Sequence, residues 1–270
     1  MNNIENQLTQ LRLHGIKSSW KALTETKRLA ELSLPEGLEM LLQAELQDRN
    51  NRRFDRLRKT ASFRYQASIE ELSYDASRGL DKGLISTLAT GDYIAKGESV
   101  LITGATGCGK SFISSALGHH ACAQGYNVMY FNVQKLLQRT KIARLEGTIH
   151  QLFQKISKTN LLVLDDFGLT HLENQHQMDL MEIIEDRHAR CATIIVSQLP
   201  VANWFDVIGE ATIADAILDR LVHTSYRIEL KGYGNHLIMQ SPTQSILIIG
   251  ILNAYFTVRL CIIIIFYRVL

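Results

Sequence analysis

The sequence predicts an α/β protein, a parallel sheet with helices on both faces, preceded by a small helical domain. Three observations predict it. Short apolar runs, of the kind that form strands buried on both faces, alternate with helical patterns between residues 99 and 230. The first run opens into Gly104-Ala-Thr-Gly-Cys-Gly109-Lys110-Ser111, the spacing of a loop that wraps phosphate between a strand and a helix. The first 75 residues are polar, nearly free of glycine, and place apolar side chains at helical spacing.

The helical domain is expected over residues 1–75. Ile4, Leu8 and Leu11 share one helix face, and Leu38, Leu42 and Leu46 repeat that spacing. Ser33 and Glu36 stand at capping-box spacing and Pro35 suits a first turn, so a helix starts there and runs to about Lys59. Arg49, Arg52, Arg56 and Lys59 fall on one side of it, with Arg53, Arg58 and Arg64 nearby and Asp55 as the only acid set against them. Such a row is either a solvated face or a surface for the phosphate backbone of nucleic acid, which carries no base information by itself. Gly79, Gly83 and Gly91 then mark a linker, and a core domain is expected over residues 76–232.

Within the core, residues 99–103 are the first strand and residues 112–124 a helix, stopped at Gly125. A second strand is expected at 127–131, helices at 133–145 and 150–156, and a third strand at 161–168. A helix over 174–190, a strand over 192–198, short helices over 202–208 and 212–222, and a last strand over 225–230 complete the alternation.

The chemistry follows from where these pieces carry polar groups. The loop amides of Gly104, Ala105, Thr106, Gly107, Cys108 and Gly109, with Phe112 just inside the helix, converge on the phosphates of a nucleotide, read as ATP. Lys110 supplies positive charge, and the Ser111 hydroxyl can ligate Mg2+. Asp165 and Asp166 end the third strand, the edge of an open sheet at which ligands bind. Asp165 is placed to hold Mg2+, and Asp166 to orient or deprotonate an attacking water, although it is one methylene shorter than the usual glutamate. Ser197 or Gln198, at the end of the fourth strand, reaches toward the γ-phosphate or that water. Together these residues predict a P-loop nucleoside-triphosphatase.

Composition narrows the setting. A formal charge of +2 over 270 residues means that any nucleic-acid surface comes from local clustering. The four cysteines show neither close pairing nor metal-ligand spacing, so reduced thiols in the cytoplasm are expected. The histidines likewise lack metal spacing, and the first residues do not read as a secretory signal.

Over residues 1–232 the chain resembles the IstB-like ATP-binding proteins, helper ATPases of bacterial insertion sequences related to the DnaC helicase loaders within the AAA+ class. The resemblance is carried by Arg52-Arg-Phe-Asp-Arg-Leu-Arg58, Leu88-Ala-Thr-Gly-Asp-Tyr-Ile94, the two nucleotide motifs and Asp219-Arg220-Leu221. It implies an AAA+ fold, assembly of like subunits on double-stranded DNA with ATP at their interfaces, and a transposase as partner. It also implies that Arg220 is the arginine finger for a neighbouring subunit, and that Ser197 and Gln198 form the sensor beside the loop. A helicase loader that uses its helical front to grip a protein, and an inactive scaffold, are the alternatives.

Residues 233–270 depart from that pattern, with no Lys, Asp or Glu and near-continuous apolarity from 246 to 267. The length would suit a membrane span. Arg259 near its middle would cost roughly 3 kcal/mol there, so an altered carboxyl terminus is expected rather than a membrane anchor.

Overall fold

The computed structural model describes residues 2–28, 31–75 and 78–231. The apolar tail expected from residue 233 and the boundary expected near residue 76 lie outside the described residues. The chain begins with α1 (Asn2–Gln10), α2 (His14–Glu25) and the long α3 (Leu34–Ala61), followed by α4 (Lys82–Ala89) and α5 (Asp92–Lys96). Five strands follow: β1 (Ser99–Gly104), β2 (Val128–Asn132), β3 (Leu161–Phe167), β4 (Ala192–Ser197) and β5 (Ser225–Leu230). All pair in parallel, in the order β2-β3-β4-β1-β5.

Parallel neighbours need crossovers, and helices supply them. These are α6 (Lys110–Ala123), α7 (Val133–Leu145), α8 (Ile149–Ser157), α9 (Asn174–Arg187), α10 (Trp204–Ile208) and α11 (Ala211–Val222). Side-chain alternation along the strands divides the core into two layers. Val100, Ile102, Val163 and Ile194 face a layer that includes Leu57 and Ala61 of α3 and Ile113 and Leu117 of α6. Leu101, Leu162, Leu164 and Ile195 face the other, with Leu136 of α7, Ile183 of α9 and Ile217 of α11. Both faces of the central strands are therefore covered, as their apolar runs require, while the edge strand β5 exposes Arg227 and Glu229 on one face.

The start of α3 is as expected: the Glu36 carboxylate accepts from the Ser33 hydroxyl at 2.6 Å and the Ser33 N–H at 2.9 Å. Its apolar row is not. Leu38, Leu42 and Leu46 are 53%, 50% and 59% exposed, and the face turned to α2 is centred on the buried Glu45. That carboxylate accepts from the N–H groups of Gly15 at 2.8 Å and Ile16 at 3.3 Å, satisfying donors that the first turn of α2 leaves unpaired. Burial works against its ionisation, but bonds from Arg49, Ile16 and Gly15 hold its pKa below the ordinary value. Gly15 permits the approach, since a Cβ there would meet the Ala44 carbonyl oxygen at 2.4 Å.

Arg187 ties the far layer together. Fully buried, it donates to the Ile156 carbonyl at 2.6 Å, the Thr159 carbonyl at 2.7 Å, the Ala192 carbonyl and the Thr193 hydroxyl. Burial pushes its pKa down to about 10. Replacement by alanine strands those acceptors and opens a cavity, so Arg187→Ala is expected to cost about 3 kcal/mol or more of stability, read by urea unfolding.

Candidate active site

The phosphate loop runs from the end of β1 to the start of α6. Gly104, Gly107 and Gly109 have φ of +148°, +82° and +91°, conformations that L side chains resist. The loop amides and the first turn of α6 provide donors for an anion. The Lys110 ammonium is buried and donates to the carbonyls of Gly104 and Ala105, at 2.7 Å each, with the Cys108 sulfur at 3.8 Å. Arg78 braces the loop from outside, donating to the Cys108 carbonyl at 2.9 Å. Phe112 is half-buried, its ring 6.3 Å from that of Tyr65.

Because β4 lies between β1 and β3, the carboxyl ends of these three strands converge. The Ser111 hydroxyl donates to Asp165 Oδ1 at 3.1 Å, joining the loop to β3. Asp165 is 1% exposed; Oδ1 also accepts the Asp166 N–H at 2.9 Å, and Oδ2 accepts the Tyr130 hydroxyl. Burial first, and then the bond to Asp165, push the Tyr130 phenol up. Asp166 has φ of +60° and sits where the pairing of β3 with β4 shifts register between Leu164 and Phe167. Its Oδ2 accepts from Asn132 at 2.8 Å and from Arg64 at 3.1 Å, contacts that hold the unusual backbone in place.

A hydroxyl and a carboxylate oxygen facing each other suit Mg2+, which takes hard oxygen donors and retains water. The loop, Lys110, Ser111 and Asp165 thus fit a magnesium-bound polyphosphate. Among the described residues no group of three or more His, Cys, Asp or Glu is arranged to hold another metal.

The two residues expected at the end of β4 divide. Ser197 is fully buried; its hydroxyl donates to the Phe167 carbonyl at 2.8 Å and accepts from the Leu199 N–H at 3.0 Å. Gln198 reaches the loop, its Oε1 accepting from the Thr106 hydroxyl at 2.8 Å. Arg220 on α11 pairs with Glu185 of α9 and donates to the Ala216 carbonyl at 2.8 Å.

The cationic row on α3 meets more acid than its sequence suggests. Asp55 pairs with Arg58 at 3.6 Å, but Glu45 also takes Arg49 at 2.7 Å and Asp48 takes Arg52 at 2.8 Å. Glu45 and Asp48 each lie four residues before the arginine they take, at the edge of the cationic half of the helix. Arg53 donates to the Gly125 carbonyl at 2.9 Å. Arg56 and Lys59 are exposed with no ion pair among the described residues. Arg12, Arg49, Arg52, Arg53 and Arg56 line a shallow concavity of about 310 Å³.

Tyr130, Asn132, Arg64 and Arg78 were not singled out for the site by sequence. Strand alternation puts Tyr130 and Asn132 on one face, and their register opposite Val163 and Asp165 supplies the missing signal. No local pattern points to Arg64, about a hundred positions from the acids it meets.

The family model for IstB-like ATP binding protein matches residues 6–241. The chain is 40% identical over 227 residues to an insertion-sequence ATP-binding protein of Sinorhizobium fredii, covering 84% of this chain and 93% of that one. It is 41% identical over 196 residues to an insertion-sequence ATP-binding protein of Pseudomonas fluorescens, covering 72% and 85%. Among solved structures, DnaI superposes with a TM-score of 0.53 at 20% identity over 62% of this chain and 92% of that one. AMPPCP-bound DnaA from Aquifex aeolicus superposes with a TM-score of 0.54 at 17% identity, over 63% and 51%. The sheet and its flanking helices are a P-loop domain of the AAA+ type.

Proposed function

Because the chain belongs to the family of IstB-like ATP-binding proteins, we propose that it is a magnesium-dependent ATPase that assembles on double-stranded DNA and assists a transposase. The observation that carries the reading is the Ser111–Asp165 contact at 3.1 Å, which joins the phosphate loop to a paired-acid strand end. Magnesium, when bound, neutralises charge on the phosphate oxygens. Lys110 and the loop amides hold the phosphates, and Ser111 and Asp165 supply the metal ligands. Asp166 orients the attacking water with its carboxylate set by Asn132. Gln198, already bonded to Thr106, registers the terminal phosphate from β4.

Like subunits would place ATP at their interfaces, with Arg220 exchanging Glu185 for a neighbour's phosphate in the cytoplasm of the host cell. Residues 1–75 form the part that meets DNA, with residues 76–232 as the ATPase domain. The concavity lined by Arg12 and the α3 arginines is the centre of the DNA face, and Arg56 and Lys59 are its most available cations.

Replacing Arg12, Arg56 and Lys59 together by alanine tests this. Each lost phosphate contact is expected to reduce the slope of log affinity for duplex DNA against log salt by about 0.9. Fluorescence anisotropy at several salt concentrations measures it. An unchanged slope would transfer the helical front to a protein partner, as in a helicase loader.

A further inference from the structure

Arg64 belongs to neither nucleotide motif and to no helix, yet its guanidinium lies 3.1 Å from Asp166 Oδ2 and 3.5 Å from Asp165 Oδ2. It follows the end of α3 by three residues, after Ser62, whose φ of +57° turns the chain toward the site. Phe63 anchors the backbone beside it. The Phe63 ring lies 4.3 Å from that of His119 and 6.0 Å from that of Tyr130. Gly118 makes room for it, since a Cβ there would meet the ring at 2.3 Å. The Arg64 side chain itself is 49% exposed, with its guanidinium 5.6 Å from the centre of the Tyr65 ring. A fixed backbone thus carries a side chain free to leave on the solvent side.

Arg64 rests on Oδ2 of both carboxylates, whereas magnesium beside Ser111 would sit at Asp165 Oδ1, so the two cations draw on the charge of one carboxylate from its two oxygens. Two cations within a few ångströms also repel each other. Tyr130, Ser111 and the Asp166 N–H account for Asp165 without Arg64, so the arginine is not required to satisfy a buried group. The geometry points to Arg64 as a positioning residue that holds Asp165 and Asp166 in the metal-free site and yields Asp165 to magnesium, thereby setting the magnesium concentration at which ATP is held. This rests on the ATP and magnesium reading given above.

The test uses the full chain and a fluorescent ATP analogue, with affinity measured as Mg2+ is titrated. Arg64→Ala and Arg64→Gln are each expected to lower the Mg2+ concentration for half-maximal gain in affinity by about twofold to fivefold, the range of one half-exposed charge pair. Affinity without Mg2+ is the reference for each variant, and Arg64→Lys, which keeps the charge on a shorter reach, should lie between the parent and the neutral variants. The Gln variant covers the case in which alanine disturbs folding, which thermal unfolding would show. A Mg2+ requirement unchanged or raised in both neutral variants overturns the assignment. If the parent shows no Mg2+-dependent gain, the magnesium reading fails and this inference falls with it; a gain that the variants do not shift defeats this inference alone.

Discussion

Lys110→Ala is expected to abolish ATP binding. The ammonium is buried and held at 2.7 Å by the two carbonyls that open the phosphate loop, so its position is set before any anion arrives. A charge-assisted bond to phosphate in such a site is worth about 3 kcal/mol, or more than a hundredfold in Kd. Loss of the lysine also leaves the polyphosphate facing loop carbonyls without a cation between them. Isothermal titration with ATP measures the effect, and circular dichroism confirms that the fold is retained. Binding within about tenfold of the parent would remove Lys110 from the phosphate site.

Asp166→Asn is expected to leave ATP binding intact while slowing hydrolysis by about a hundredfold to ten-thousandfold, the usual worth of a positioned acid–base group. Asparagine suits the comparison. It tolerates the left-handed backbone at φ of +60°, and its amide oxygen can still accept from Asn132 and Arg64. What it cannot do is take a proton from water. Steady-state turnover beside an ATP-binding titration separates the two effects, and parental turnover from the Asn variant would exclude Asp166 from the mechanism.

Much of the fold was legible because parallel strands buried on both faces advertise themselves as uncharged runs. The run expected at 161–168 is β3, Leu161–Phe167, and that expected at 192–198 is β4, Ala192–Ser197. The helix expected to reach residue 190 stops at Arg187, where His188 leaves helical geometry and Ala189 takes φ of +54°. The α3 leucine row misled because periodicity reports a face but not what lies opposite it. A buried glutamate bonded to the start of α2 determines that packing.

In the site, the two nucleotide motifs bring Lys110, Ser111 and Asp165 together. The phosphate loop fixes Lys110 and Ser111 by its own turns, and the end of β3 fixes Asp165. Groups that arrive through strand register or from the helical front were not legible. Tyr130 and Asn132 come from β2, Arg64 from the segment after α3, and the positive φ of Asp166 from a register shift between β3 and β4. Ser197 and Gln198 are adjacent, yet only the side chain of Gln198 reaches the loop.

The proposed ATPase couples magnesium-dependent hydrolysis to duplex DNA. Phosphate release by the purified full chain, measured with and without Mg2+ and with and without duplex DNA, tests it most directly. The predicted result is turnover that requires Mg2+, rises when duplex DNA is added and disappears in Lys110→Ala. Turnover no higher than that of Lys110→Ala under every condition would rule out an ATPase.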